Sequence, residues 1–365
     1  MIAPGAVNAH THLYSGLAGF DMPPPAEPPQ DFLQILERIW WRLDRALDER
    51  SLRVSARWAL AEGLLAGTTA FIDHHESPAF VEGSLDVLAE EAEALGARLV
   101  VAYGATERNG GREEARRGLA ECARFSRANA RPTVRPLVGL HASFTVSDAT
   151  IREAGELARE LGVGVHVHVA EDRADVEDAR RRGFEGPLER LLALDALPAT
   201  SIVAHGVWLD EAQVRAVESA GAWLVHNPRS NEGNRVGWAG SLGASAHVAL
   251  GTDGWSADMA VERAALVRLG RAHGAEPARL EARLDAGRAL LGALTGERFD
   301  GLDAGGAADV VVGVPGEAPR HVIVAGRPVV IDGALVTADL EAIRAEARDT
   351  APRLWARMAE IGGGS

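Results

Sequence analysis

Lysine is absent from this chain: all 38 basic side chains among its 365 residues are arginine. That excludes Schiff-base chemistry, lysine-bound pyridoxal phosphate and a Walker-type phosphate loop. It also excludes a two-metal site bridged by a carboxylated lysine. Cysteine is reduced to Cys122, so no disulfide can form within the chain, and neither an oxidising compartment nor a cysteine-rich structural zinc site is indicated. Positive charge is in deficit. The 38 arginines face 52 acidic residues, a formal charge of −14, which argues against nucleic acid and against an anionic membrane surface. No run approaches the roughly 18 apolar residues of a membrane span. The opening residues, 1–5, lack the basic region and apolar core of a signal peptide. A cytoplasmic protein acting on a small molecule, with no nucleic-acid or membrane partner, is the expectation.

What is present is an alternating pattern. Apolar residues make up 47% of the chain, enough for a sizeable core. Short β-rich runs at 6–12, 69–74, 98–103, 134–141, 164–169, 201–205, 222–226 and 247–252 alternate with helix-like segments such as 84–95, 113–129, 148–161 and 211–220. Eight strands, each followed by a helix, predict a (β/α)8 TIM barrel over residues 1–300. A doubly wound sheet would carry an early glycine-rich phosphate fingerprint, and Gly5 to Gly19 does not form one. After strand one comes a proline-rich connector, 21–29, and a bulky helix through Trp40, Trp41 and Leu43. Beyond residue 300, short strands at 307–313, 321–325 and 328–331 and a helix at 339–358 predict a small β appendage, 301–365, with a frayed tail at 362–365.

Chemistry in such a barrel comes from the C-terminal ends of the strands. His10 and His12, two apart on strand one, project from one face. His141 ends strand four. His166 and His168 lie on strand five with Glu171 just beyond. His205, His226 and Asp253 end strands six, seven and eight. Neutral imidazoles with one carboxylate suit Zn²⁺, or alternatively Fe²⁺, with a position open for water. Glu171 is placed to carry protons without being a ligand. His168 is a candidate ligand, while His166, deeper on the same face, suits a supporting role. Of His74 and His75 at the end of strand two, no more than one can face the site, and structural roles are expected for both. His247 opens strand eight at the opposite end and should be structural. The pocket is expected to be shaped by Trp40, Trp41, Tyr103, Glu107, Phe144 and Trp255. His141, Trp41, Phe144 and Asn231 are the candidate substrate contacts, although Asn231 and its neighbour Arg229 would equally brace their loop.

Pro4-Gly5-Ala6-Val7-Asn8-Ala9-His10-Thr11-His12, His168-x-x-Glu171, Ala204-His205-Gly206, His226-Asn227-Pro228-x-Ser230-Asn231 and Gly251-Thr252-Asp253-Gly254 together resemble the amidohydrolase superfamily. The resemblance is to the branch of cytosine, guanine, adenosine-derivative and triazine deaminases and chlorohydrolases. Within it, Trp40-Trp41-Arg42-Leu43-Asp44, Asp73-His74-His75-Glu76-Ser77-Pro78 and residues 139–145 resemble the SsnA-type aminohydrolases. The resemblance implies a mononuclear metal on His10, His12, His168 and Asp253. It implies Glu171 as proton shuttle, His205 as the residue that polarises the attacked group or steadies the hydroxide, and Asp253 as a second proton acceptor. It also implies a homodimer. The activity it implies is hydrolytic deamination of a nitrogen heterocycle such as a purine, pterin, pyrimidine or triazine. Cyclic amide hydrolysis and dechlorination are the alternatives on the same site, and an inactive metal-binding paralogue is the alternative of another class. Two departures stand out. Relatives carry some dozens of residues before the first barrel strand, half of a β-sandwich, so either the start codon is misassigned or the sandwich is reduced here, and the strands at 307–331 are then expected to lack partners. Trp208 stands where many relatives have a second histidine.

Overall fold

The computed structural model describes residues 1–299 and 301–361; the tail expected at 362–365 and residue 300, where the barrel is expected to end, lie outside the described residues. Among the described residues fourteen strands are formed: β1 (Ile2–Pro4), β2 (Ala6–Thr11), β3 (Thr68–His75), β4 (Arg98–Ala105), β5 (Val134–Pro136), β6 (Val138–Ala142), β7 (Val165–Val169), β8 (Ile202–His205), β9 (Trp223–His226), β10 (Val248–Leu250), β11 (Val310–Val312), β12 (His321–Val324), β13 (Arg327–Ile331) and β14 (Ala334–Leu335). Nine of them form one parallel sheet, eight in the order β10-β9-β8-β7-β6-β4-β3-β2 with β5 paired to β4. The run expected at 134–141 is broken into β5 and β6, because Pro136 has no N–H to continue the ladder.

The sheet closes on itself between its first and last strands. The His10 carbonyl accepts from Thr252 N–H at 3.0 Å and Asp253 N–H at 2.9 Å, and His12 N–H donates to the Asp253 carbonyl at 3.2 Å. Asn8 locks the seam from below: its Nδ2 donates to Thr252 Oγ1 at 2.7 Å, and its Oδ1 accepts from Thr252 N–H at 3.0 Å. Glycine is required at Gly251, where a Cβ would sit 2.7 Å from the His10 carbonyl oxygen and 2.6 Å from Asn227 Oδ1. The (β/α)8 barrel read from the alternation is therefore present.

Local chemistry sets the helices between the strands. The helix Asp148–Leu161 starts where the Ser147 side chain accepts from Thr150 N–H, and it stops at Gly162 in the left-handed conformation (φ 69°). The long connector after β2 folds back over the barrel mouth as a short helix Phe32–Ile35, a π turn Leu36–Trp40 and a helix Trp41–Ala46. The closing helix Leu340–Ile361 clamps it: Trp355 Nε1 donates to the Phe20 carbonyl at 2.8 Å and Arg42 donates to the Met358 carbonyl at 2.8 Å.

The expectation of unpartnered strands at 307–331 is corrected. β1 pairs antiparallel with β11, Ile2 opposite Val312 and Pro4 opposite Val310, giving a five-stranded sheet in the order β1-β11-β12-β13-β14. This sheet thus takes a strand from residues 2–4, which the sequence pattern grouped with the barrel. Its edges are two short strands, which limits unwanted edge pairing. Val322, Val324, Val329 and Val330 bury its inner face. Arg98 at the start of β4 ties the sheet to the barrel floor: its Nε donates to Asp309 at 3.0 Å, with both side chains buried, and its other nitrogens reach Glu297 and the Ala307 carbonyl at 3.1 Å. Burial pushes the Asp309 carboxyl upward even with Arg98 beside it. Removing Arg98 strands that carboxylate. Arg98→Met is expected to lower unfolding free energy by about 3–5 kcal/mol. Arg117→Met, breaking the exposed pair with Glu82, should change it by about 0.5 kcal/mol or less. Urea denaturation of the two variants checks this.

Candidate active site

Four histidines reach the barrel axis with their orientation fixed from behind. His12 Nδ1–H donates to the His74 carbonyl at 2.6 Å, and His168 Nδ1–H donates to the His141 carbonyl at 2.5 Å. His205 Nδ1–H donates to Asn231 Oδ1 at 2.9 Å, and His10 Nδ1 is 2.9 Å from His166 Nε2. A carbonyl oxygen only accepts, so the proton sits on Nδ1 and the lone pair on Nε2 in each case where a carbonyl or amide oxygen is the partner. Those lone pairs converge. His12 Nε2 and His168 Nε2 stand 3.2 Å apart, and His12 and His10 Nε2 lie 2.8 and 3.2 Å from Asp253 Oδ1. The buried Nε2 of His205 has no partner. Ligand atoms of His10, His168, His205 and Asp253 all fall within 4.8 Å of one another.

Converging lone pairs around a carboxylate repel unless a cation lies between them, and the imidazole and carboxylate donors suit a divalent ion of the zinc class. A proton partly fills that need in the protein alone. Burial would lower the His12 pKa, but Asp253 overrides it and raises it to about 9. Burial lowers His10 to about 3. Burial also works against the Asp253 carboxylate, yet the flanking His12 and His10 hold it well below its usual range. Asp253 Oδ2 is further fixed by a short hydrogen bond from Ser230 Oγ.

The strand ends carry backbone strain. His205 (φ 73°), Asp253 (φ 56°) and Ala170 (φ 51°) all lie in the left-handed region that non-glycine residues avoid. Ala170 thereby turns Glu171 over the site, where its Oε2 stands 3.6 Å from His205 Nε2 and its Oε1 accepts from Asn234 at 3.4 Å. Burial raises the Glu171 carboxyl to about 7 against the pull of His205.

The cavity above these groups is walled by the folded-back connector. Phe32, Leu36, Trp40 and Trp41 line it together with His141 and Phe144. His141 Nδ1 is engaged by Thr145 Oγ1 at 2.9 Å. The expected pocket residues Trp40, Trp41, Phe144 and His141 are thus present. Asn231 is not among them and is corrected: the helix Pro228–Gly233 starts directly after β9 and turns Asn231 behind His205, where it is buried. Tyr103 packs in the core, Glu107 caps the helix Asp148–Leu161 through Ser147 and Thr150, and Trp255 is half-exposed outside the cavity. His226 turns toward Arg283 and Trp238. His247 stacks on Trp223 at the far end of the barrel, 4.2 Å between ring centroids. Trp208 lies on the surface beneath Arg173.

Two residues join the site that the sequence pattern left aside. His74 faces inward, its ring 4.5 Å from that of His168, while His75 points outward to Ser77. Glu76, two positions on and on the same face as His74, lines the cavity while 2% exposed. Strand alternation links the two, since an inward His74 carries Glu76 inward with it.

The chain belongs to the amidohydrolase family, whose model matches residues 1–291. It is 29% identical to the 5'-deoxyadenosine deaminase of Methanopyrus kandleri over 97% of this chain and 86% of that protein. It is 31% identical to the 5-methylthioadenosine/S-adenosylhomocysteine deaminase of Halothermothrix orenii, over 71% of this chain and 58% of that protein. Among solved structures, an adenosine deaminase from Xanthomonas campestris with bound zinc superposes with a TM-score of 0.84 at 25% identity, covering 97% of this chain and 86% of that one. The atrazine chlorohydrolase of Arthrobacter aurescens complexed with zinc shares the fold, with a TM-score of 0.78 at 22% identity and coverage of 96% and 88%.

The converging lone pairs make a direct prediction. His12→Ala, His168→Ala and Asp253→Ala should each purify with less than about a tenth of the wild-type metal. His166→Leu, which removes only the partner of His10, should weaken zinc affinity roughly 10–100-fold. Elemental analysis and competition with a chromophoric chelator measure both.

Proposed function

We propose that this protein is a metal-dependent hydrolytic deaminase that releases ammonia from an amino-substituted nitrogen heterocycle. The observation that carries the reading is the convergence of ligand atoms from His10, His168, His205 and Asp253 within 4.8 Å of one another, with His12 Nε2 against His168 and Asp253 and with Glu171 beside them. Family membership and the deaminase relatives support it. Zinc is the metal of this reading, since imidazole and carboxylate donors suit it and the Xanthomonas neighbour holds it. His10, His12, His168 and Asp253 would hold the ion. A cytoplasmic location agrees with a single, buried cysteine.

When bound, the ion supplies a Lewis-acidic centre that makes a water acidic near neutral pH. The protein's own groups do the rest. Water adds to the sp² carbon that bears the amino group, and that carbon later expels ammonia to leave a carbonyl. Glu171 Oε2 takes the first water proton and passes it to the ring nitrogen; recharged with the second water proton by way of Asp253, it then protonates the departing amine, which leaves as ammonia. A carboxyl raised to about 7 both accepts and donates near neutrality. Asp253, held ionised, takes the second proton, with Ser230 fixing its outer oxygen. His205 Nε2, free and oriented by Asn231, steadies the adding oxygen. The aromatic walls sandwich a flat ring and exclude bulk water.

Glu171→Gln is expected to retain metal and lose about 10³-fold in ammonia release, within the usual span for general acid–base catalysis. Because Glu171 must begin as the carboxylate, wild-type kcat/KM should fall on the acid side with a midpoint at or below about pH 7. That limb should vanish from the residual activity of Glu171→Gln. A metal-loaded wild type that releases no ammonia from purines, pterins, pyrimidines or triazines would overturn the reading.

A further inference from the structure

Among the buried charged groups that the deaminase reading leaves unused is Glu76. Glu76 lies just past the end of β3, 2% exposed, and faces the cavity. Its Oε2 stands 3.7 Å from Arg108 Nη2 and 3.9 Å from His141 Nε2, both beyond hydrogen-bond range. Arg108 spends that nitrogen on Asp44, at 2.7 Å. Glu76 Oε1 is 3.1 Å from His74 Nδ1 but forms no aligned hydrogen bond, and it is a buried oxygen without a partner. Nearby, the indole Nε1 of Trp41 is likewise buried and unpartnered, with the Arg108 guanidinium 4.8 Å over the ring. A carboxylate oxygen buried without donors costs several kcal/mol unless a ligand supplies one.

We infer that Glu76 is a specificity-determining residue that accepts a hydrogen bond from a ring N–H of the substrate, and that the substrate is an amino-lactam heterocycle of the guanine or pterin kind. This rests on the deaminase reading and narrows it. An ionised carboxylate only accepts, so its ligand must present a donor. The ring nitrogens N1, N3 and N7 of an adenine nucleoside are all acceptors, and its one base donor is the amino group being expelled. An amino-lactam carries a ring N–H directly beside the attacked carbon. Sugar hydroxyls are donors too, but they lie on the far side of the base from that carbon. Glu76 instead contacts His74, whose ring touches that of His168 in the ligand cluster. Asp44 in the connector is not free for a sugar either, because Arg108 holds it.

The test uses the zinc-loaded protein with guanine, pterin, adenosine and 5'-deoxyadenosine as substrates, and calorimetric binding of xanthine as a probe that needs no turnover. The wild type should favour guanine or pterin over both nucleosides by at least about 100-fold in kcat/KM, as expected where a built hydrogen-bonding site meets a ligand lacking the group. Glu76→Gln should keep its zinc and melting temperature, lose about 100-fold on the lactam substrate, and weaken xanthine binding at least about tenfold. Its loss on the nucleosides should be at least about tenfold smaller than on the lactam. Glu76→Asp should recover part of the loss. Faster turnover of the nucleosides by the wild type would overturn the inference while leaving the deaminase reading intact. So would an equal loss on every substrate in Glu76→Gln, or unchanged xanthine binding. If no substrate yields ammonia, the deaminase reading fails, and xanthine binding with its dependence on Glu76 still decides the inference. Should Glu76→Gln not fold, the wild-type substrate ranking and xanthine binding decide it.

Discussion

The closing seam of the barrel and the proposed metal site are built from the same residues. The His10 carbonyl holds β2 against Thr252 and Asp253, while the His10 imidazole and the Asp253 carboxylate point into the axis. Any slip in register between first and last strands would separate the histidine pair from the aspartate. Conversely, the side chains can converge only because Gly251 lets the two backbones touch. Strain at His205, Asp253 and Ala170 fits this picture. Packing of the barrel overrides local preference where the chain leaves a strand and enters the site.

Behind the converging Nε2 atoms lies a second ring of acceptors. The carbonyls of His74 and His141 and the amide of Asn231 each hold an Nδ1 proton. Backbone carbonyls of neighbouring strands are rigid, so the orientation of His12 and His168 follows from sheet register alone. This makes the site preorganised: no side chain must rotate to accept an ion. The connector that roofs the cavity is held differently, by apolar packing and by hydrogen bonds donated from Trp355 and Arg42 to carbonyls. Its proline-rich part is exposed, while its aromatic part is partly buried at the mouth.

Much of this was legible in the sequence, for a definite reason. His-x-His on a strand and single histidines before glycine or a turn mark strand ends, and in a (β/α)8 barrel strand ends are one place. The resemblance then named the roles. What the sequence could not resolve depended on facing. His74 and His75 are adjacent, so which one points inward was undetermined, and Glu76 stayed hidden with that choice. Asn231 follows a proline that starts a helix, and only the helix direction shows that it backs His205 rather than substrate. The pairing of β1 with β11 joins two three-residue strands, too short to display a period, through contacts some 300 residues apart in the chain. Tyr103 and Trp255 are aromatic like Trp40 and Trp41, and composition does not separate core from cavity.

The seam also has a temporal side. His10 and Asp253, which share a contact at 3.2 Å, are 243 positions apart in the sequence. During synthesis the first pair of imidazoles emerges long before its carboxylate partner, and contacts of such separation form late. For most of that interval β2 has β3 to pair with but its seam edge stays open, and the two histidines proposed to hold the metal lack their carboxylate. With the proposed ligand set, tight capture of an ion would await the last barrel strand, and metal occupancy would double as a record that the cylinder has closed.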